Sequence, residues 1–301
     1  MQKEFDKILV GLIPEGETAL LAVSGGADSI CMAELFAHSS WNGGIAVAHC
    51  NFHLRGEESD ADAELVRCWA ASHGVAFHSV DFDTERYASE HSQSIEMAAR
   101  ELRYDWFASL CLKHGYYAVS VAHNANDNAE TLMLNLLRGT GLRGITGMKP
   151  VSNVPVSQQS LEGVRLVRPL LAFSRDRINA FVNECHAEYH DDRTNAETIY
   201  KRNKIRHLVF PVFESLNPSF LKTFGREMRA FAQENAIAED YFNAAKPRVC
   251  AMPEAGECLR VNVPALRKET HWEYVLYRLL EPFGFRSATL DPVMSLLNSD
   301  G

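Results

Sequence analysis

The chain has 301 residues, 46% of them hydrophobic and 23% charged, with a formal net charge of −9. That length suits two domains of roughly 100–200 residues each. The longest purely apolar run, residues 19–23, is too short to cross a bilayer, and the acidic balance argues against indiscriminate nucleic-acid binding.

The opening MQKEFDKILVGLIPEG mixes Lys3, Glu4, Asp6 and Lys7 with Phe5, Ile8 and Leu9. It reads as a short amphipathic helix and not as a secretory signal, so a cytoplasmic location with no membrane segment is expected. Short apolar or β-branched stretches at 18–23, 45–49, 75–80 and 117–122 read as buried parallel strands. Helical patterns lie between them and after them, at 28–37, 58–73, 94–114 and 125–138; in the second, Ala61, Leu65, Cys68 and Trp69 share a face. The alternation predicts an α/β fold with a doubly wound, mainly parallel sheet, whose ligand site lies at the carboxyl ends of the strands.

Two β-like stretches within 154–171, around Gln158-Gln159-Ser160 and Gly163, predict a hairpin. Ser174 reads as the N-cap of a helix, and Asn217-Pro218-Ser219 opens a long one running to about residue 245. Pro247, Pro253 and Gly256 then break the pattern before a mainly helical stretch at 261–301. The organisation expected is a catalytic domain over 1–212 and a smaller, mainly helical domain over 213–301. Seven cysteines occur singly, without a C-x-x-C pair, which predicts buried reduced thiols in place of disulfides or a zinc or iron–sulfur site.

The chemistry starts in LLAVSGGADSICMAEL, where two glycines, an acid and two hydroxyls stand between a strand and a helix. Glycines let backbone N–H groups approach an anion, and the helix N-terminus adds partial positive charge. A Walker loop would need Lys and Ser/Thr after the glycines, and a dinucleotide fingerprint would need G-x-G-x-x-G; neither is present. Farther on, Asp127 and Glu130 are three residues apart at a helix start and so point to one side, a geometry suited either to Mg²⁺ or to an ammonium group. Glu96, Arg100 and Arg103 share another helix face, as a solvated charge ladder would. Between Tyr200 and Ala230 seven Lys/Arg face two acids, a basic stretch fit for phosphate contacts inside an acidic protein.

The hexapeptide Ser24-Gly25-Gly26-Ala27-Asp28-Ser29 resembles the pyrophosphate loop (PP-loop) of the N-type ATP pyrophosphatases. Downstream, AHCNFHLRGEESDADAELV (48–66), IEMAARELRYDWF (95–107), AHNANDNAETLMLNLLRGTGLRGITGM (122–148), RPLLAFSRDRI (168–178) and DDRTNAETIYKRNKIRHLVFPVF (191–213) stand in the order and spacing of tRNA(Ile)-lysidine synthases. The resemblance implies a Rossmann-like, adenine nucleotide α-hydrolase-like fold. It also implies an ATP- and Mg²⁺-dependent ligase that adenylates C2 of the wobble cytidine of tRNA(Ile) with a CAU anticodon, releases pyrophosphate, and lets L-lysine displace AMP, so that AUA is read in place of AUG.

By the same resemblance Ser24, Gly25, Gly26, Ala27, Asp28 and Ser29 would hold the ATP phosphates, with Asp28 near Mg²⁺ and His49 also at the nucleotide, while Arg100 and Arg103 would contact phosphate, of the nucleotide or of the tRNA backbone, with Glu96 as their ion-pair partner. Asp28, Asp127 and Glu130 would be catalytic, Asp28 and Asp127 would meet the metal, and Arg55, Arg138, Lys201, Arg202 and Arg206 would face the tRNA. Asn124, Asn126 and Asn128 stand where the family commonly has a second His and Asp-Asp-Gln. A homodimer and a further C-terminal domain are family expectations. Against a tRNA thiolase stands the absence of paired cysteines; against a noncatalytic binding module stands the presence of two metal-suited carboxylates.

Overall fold

The structure is a computed structural model that describes residues 1–54, 56–190, 201–251, 258–285 and 287–299. Arg55 and the stretch 191–200 of the last family-like block lie outside the described residues. The chain divides into two compact units, Met1–Asn128 with Met148–Asn203, and Ala129–Gly147 with Lys204–Gly301.

The first unit begins with α1 (Gln2–Val10), an amphipathic helix that buries Phe5 and Leu9. Then come β1 (Thr18–Ala22), α2 (Ala27–Ala37), β2 (Gly44–Asn51), α3 (Glu57–Ser72), β3 (Ala76–Asp81), α4 (Thr84–Glu90), α5 (Ile95–His114) and β4 (Ala118–Ser120). The chain then passes through α6 (Ala125–Arg138), which belongs to the second unit from Ala129 on, and α7 (Leu142–Ile145), wholly of that unit, before β5 (Val151–Asn153), β6 (Arg165–Val167) and α8 (Arg175–Cys185) continue the first. The sheet order is β3-β2-β1-β4-β6-β5, and every pairing is parallel except β5 with β6. The expected doubly wound sheet is therefore present.

Strand side chains alternate between faces. Leu20 enters a core with Ala46, Val119, Phe107 and Leu166, whereas Ala19 and Leu21 enter another with Phe5, Ile30, Leu35 and Ile178. Burial on both faces explains why β1 reads as an unbroken apolar run. From β1 the chain winds outward through β2 to β3, then returns to place β4 on the other side of β1. The β1/β4 junction is thus the switch point, outside whose carboxyl ends a ligand crevice forms.

The hairpin differs from expectation: it starts at Val151 instead of 154, and a 3₁₀ turn at Gln159–Leu161 separates its two short strands. The stripe on α3 also differs. Its buried residues are Ser59, Asp62, Val66, Trp69 and Ala70, and Cys68 lies exposed. A polar residue, Asp62, takes the inward position because it faces the loop after β1. Cys185 and Cys258 are exposed as well, so only some of the thiols are buried, Cys31, Cys111 and Cys250 among them.

After α9 (Lys201–Lys204), which closes the first unit, the second unit runs through a π-helical turn, Ile205–Val209, to α10 (Phe210–Leu216) and the long α11 (Phe220–Val249). Short α12 (Val263–Leu266), α13 (Trp272–Leu280) and α14 (Ser287–Ser299) follow. Pro247, expected to break the pattern, lies inside the last turn of α11. There the proline forfeits one i→i−4 hydrogen bond, and the complete burial of Ala245 and Val249 carries the helix two residues farther. Phe210 and Phe220 pack with Ile205, Ala129 and Leu134, and Phe242 packs with Leu266, Val275 and Leu279. No helix among the described residues is long and apolar enough to cross a membrane.

Candidate active site

The loop after β1 holds itself open. Gly25 has φ +95°, a left-handed conformation that favours glycine, and an added Cβ would meet Asp62 at 3.2 Å. The Ser29 hydroxyl donates to the Gly26 carbonyl (2.9 Å) and accepts from the Ser24 N–H (3.1 Å), while the Ser24 hydroxyl lies 3.1 Å from it. No side chain caps the start of α2 at Gly26. A helix start without a side-chain cap presents its first N–H groups, and its positive dipole end, to an anion. Ser24, Gly25, Gly26, Ala27, Asp28 and Ser29 are therefore arranged as a cradle.

The cradle is braced from two sides. His190 donates its backbone N–H to the Gly25 carbonyl (3.0 Å), and its Nδ1 lies 2.7 Å from Asp62 Oδ1, the carboxylate that abuts Gly25. His49 is buried at the end of β2 with Nδ1 2.9 Å from the Val23 carbonyl. Burial lowers its pKa, so the ring is neutral and its Nδ1–H donates to the strand end.

Across the switch point, α6 starts with a reciprocal cap. Asn124 Oδ1 accepts from the N–H groups of Asn126 (2.9 Å) and Asp127 (3.1 Å), and Asp127 Oδ2 accepts from the Asn124 N–H (3.1 Å). Asn126 Oδ1 in turn accepts from the Arg175 N–H (2.9 Å), and Asn128 Oδ1 from the Met148 N–H (2.6 Å). Each of the three asparagines at the family-variant positions thus makes a backbone bond.

Asp28 and Asp127 come together on one guanidinium. Arg175 Nη2 donates to Asp28 Oδ2 (2.8 Å) and lies 3.8 Å from Asp127 Oδ1. Burial pushes the Asp28 carboxyl above its ordinary range; Arg175 works against that, and the charge of Asp127 adds to it. Asp28 Oδ1, Arg175 Nε, Asn124 Nδ2, His123 Nδ1 and Arg168 Nε are all buried without a hydrogen-bond partner. Donors and an anionic acceptor left open in one region are the mark of a ligand site. Burial also pushes the His123 ring down to about 4; Asp127 opposes this, and the guanidinium charges of Arg168, Arg202 and Arg100 reinforce it. The ring is neutral at pH 7.

Of the remaining expected residues, Arg100 and Arg202 lie near enough to His123 for their charges to act on its ring. Arg100 lies over the Tyr104 ring (4.9 Å) and Arg103 over Phe52 (5.1 Å), so these arginines stack on aromatic rings and do not pair with Glu96. Lys201 and Arg202 are exposed. In the second unit, Glu130 is fully buried and accepts from Arg206 Nε (2.8 Å), with Arg206 itself largely covered on the π-helical turn. Arg138 is exposed and lines a cavity of about 310 Å³ with Asn135, Thr140, Tyr277 and Glu281. Sequence reasoning missed Arg175, Asp62 and His190. Arg175 was visible as the residue after a helix N-cap, whereas Asp62 was hidden in an acid-rich helix start.

Residues 1–213 match the family model of the PP-loop domain. Over 289 residues the chain is 37% identical to a tRNA(Ile)-lysidine synthase of Parabacteroides distasonis, covering 96% of this chain and 62% of that one. Over 287 residues it is 40% identical to a tRNA(Ile)-lysidine synthase of Porphyromonas gingivalis, covering 94% and 58%. The chain therefore spans about three fifths of the length of these curated relatives. Among solved structures, the U34-tRNA thiolase NcsA from Methanococcus maripaludis, with its 4Fe-4S cluster, aligns with a TM-score of 0.61 at 15% identity, covering 77% of this chain and 78% of that one, a likeness of fold alone.

Asn124→Ala removes the two bonds that its own side chain contributes to the α6 cap and is expected to cost about 1–2 kcal/mol in urea unfolding. Arg206→Ala takes the guanidinium from a fully buried carboxylate and is expected to cost about 3 kcal/mol or more in the same measurement. The depressed pKa of His123 contributes stability that is present above pH 6.5 and is lost as pH falls toward 4, because the unfolded state then binds the extra proton. Between pH 7 and pH 5 the wild type is expected to lose more stability than His123→Gln, by on the order of 1–2 kcal/mol.

Proposed function

Because the chain belongs to the PP-loop domain family, an ATP-using family that it matches over residues 1–213, we propose that it ligates L-lysine to C2 of the wobble cytidine of tRNA(Ile) with a CAU anticodon. ATP is cleaved to AMP and pyrophosphate in the reaction, which takes place in the cytoplasm. The observation that carries this reading is the meeting of Asp28 and Asp127 on one guanidinium at the switch point, beside a helix start that no side chain caps. Supporting it are relatives bearing that function at 37% and 40% identity.

In the first step the cytidine O2 attacks the α-phosphorus of ATP, and the bond to the β-phosphate oxygen breaks. The backbone N–H groups at the start of α2 hold the departing pyrophosphate, as donors already aimed at the charge that develops there. Asp28 and Asp127 would hold Mg²⁺, which supplies charge neutralisation for the phosphates. They fit it: a buried Asp28 Oδ1 without a hydrogen bond stands close to a second carboxylate, and the pair already draws a cationic group, Arg175. In the second step the lysine ε-nitrogen, as the free amine, attacks C2, AMP leaves with the former O2, and that nitrogen gives up one proton to solvent. The exposed Lys201 and Arg202 suit contact with a tRNA backbone.

Labelled lysine is expected to enter a CAU-anticodon tRNA(Ile) transcript only with ATP, with one pyrophosphate released per lysine. Label entering without ATP, or none entering at all, would sink the reading. Asp28→Ala should lower the rate by roughly 100-fold or more, as expected for removing a group that stabilises transition-state charge. Asp127→Asn should weaken ATP binding about tenfold with Mg²⁺ and little without it, as measured by calorimetry.

A further inference from the structure

Arg175 holds the first position of α8, directly after the N-cap Ser174. Its backbone N–H is tied to Asn126 Oδ1, so its main chain is fixed to the start of α6 while its side chain reaches across to Asp28. The side chain is 28% exposed and that of Asp127 14%, so the group is well screened from water. Its pairing with Asp28 is incomplete on both sides: Arg175 Nε and Asp28 Oδ1 are each buried without a well-formed hydrogen bond, although the Asn124 side chain also acts on the Asp28 carboxylate. A buried polar atom left open costs about 1–3 kcal/mol, so two of them on one ion pair point to a partner that is not part of the chain. The donor suits an anion and the acceptor a cation, the two charges that a metal-bound nucleotide brings together.

We propose that Arg175 is a phosphate-binding residue of the ATP site which, before nucleotide arrives, serves as the counter-cation of Asp28 and Asp127. The proposal rests on the reading that these two carboxylates take Mg²⁺ together with ATP. Arg175 then yields the carboxylates and turns Nε and one Nη toward a phosphate oxygen pair, a two-point contact that a guanidinium makes and an ammonium does not. With the backbone anchored on Asn126, the change needs side-chain rotation only. The empty site keeps its two like charges neutralised, and the loaded site gains a donor on the phosphates.

Two binding measurements on the 301-residue protein test this without tRNA or lysine: Mn²⁺ alone by electron paramagnetic resonance, and ATP with Mg²⁺ by calorimetry. Arg175→Gln removes the internal competitor and the phosphate donor. Mn²⁺ is expected to bind about tenfold more tightly and ATP about tenfold more weakly than in the wild type. Unchanged ATP affinity, or Mn²⁺ affinity that does not rise, overturns the proposal. Should the Gln variant fail to fold by circular dichroism, Arg175→Lys reads the same point. It keeps the charge, so Mn²⁺ affinity holds, but it loses the fork, so ATP weakens about three- to tenfold; no loss of ATP affinity overturns the proposal. If wild-type ATP binding is itself indifferent to Mg²⁺, the underlying metal reading fails, a result distinct from a wild-type Mg²⁺ dependence that the Arg175 variants leave untouched.

Discussion

Asp28 lies in the loop-to-helix turn after β1 and Asp127 in the first turn of the helix after β4, and β1 and β4 are hydrogen-bonded neighbours. Two like charges are thereby carried to one crevice, where water is scarce and their repulsion is strong. Arg175 meets both, and its own position comes from a third element whose first N–H is held by Asn126. The loop after β1, the helix after β4 and the helix after β6 are thus joined through one ion cluster, whose charges a nucleotide and its metal would rearrange.

The polar residues around that cluster are structural before they are chemical. Asn124 and Asp127 cap α6 for each other, so the orientation of the Asp127 carboxylate follows from the formation of the helix itself. One of its oxygens is tied to the backbone, and the other faces Arg175. His49 performs a similar service at the end of β2, where a neutral ring fastens the strand end that leads into the cradle.

The fold was legible because its strands are buried on both faces and its helices carry clear apolar periodicity; α6 begins and ends where the pattern of Ala125 to Arg138 places it. What periodicity misplaces is the polar inside. Helix α3 was assigned an apolar face through Cys68, yet it turns Asp62 inward because Gly25 lies there, a contact between residues 37 positions apart. Likewise Asp127 and Glu130, alike in spacing and chemistry, find different partners, Arg175 and Arg206, neither of which lies near them in sequence. Arg175 escaped notice for the same reason: its chemistry depends on Asp28, 147 positions earlier. Local motifs announce which groups a site contains, and only the crossing connections of the sheet determine which of them meet.

The brace on Gly25 has a consequence for how the protein comes into being. The cradle after β1 is written among the first thirty residues, but the backbone bond that steadies Gly25 and the contact that braces the Asp62 carboxylate beside it come from His190. A nascent chain emerging from the ribosome carries the whole hexapeptide long before it carries the latch, and the counter-charge at Arg175 arrives almost as late. The brace on Gly25 is therefore complete only once the sixth strand and the helix behind it have been made.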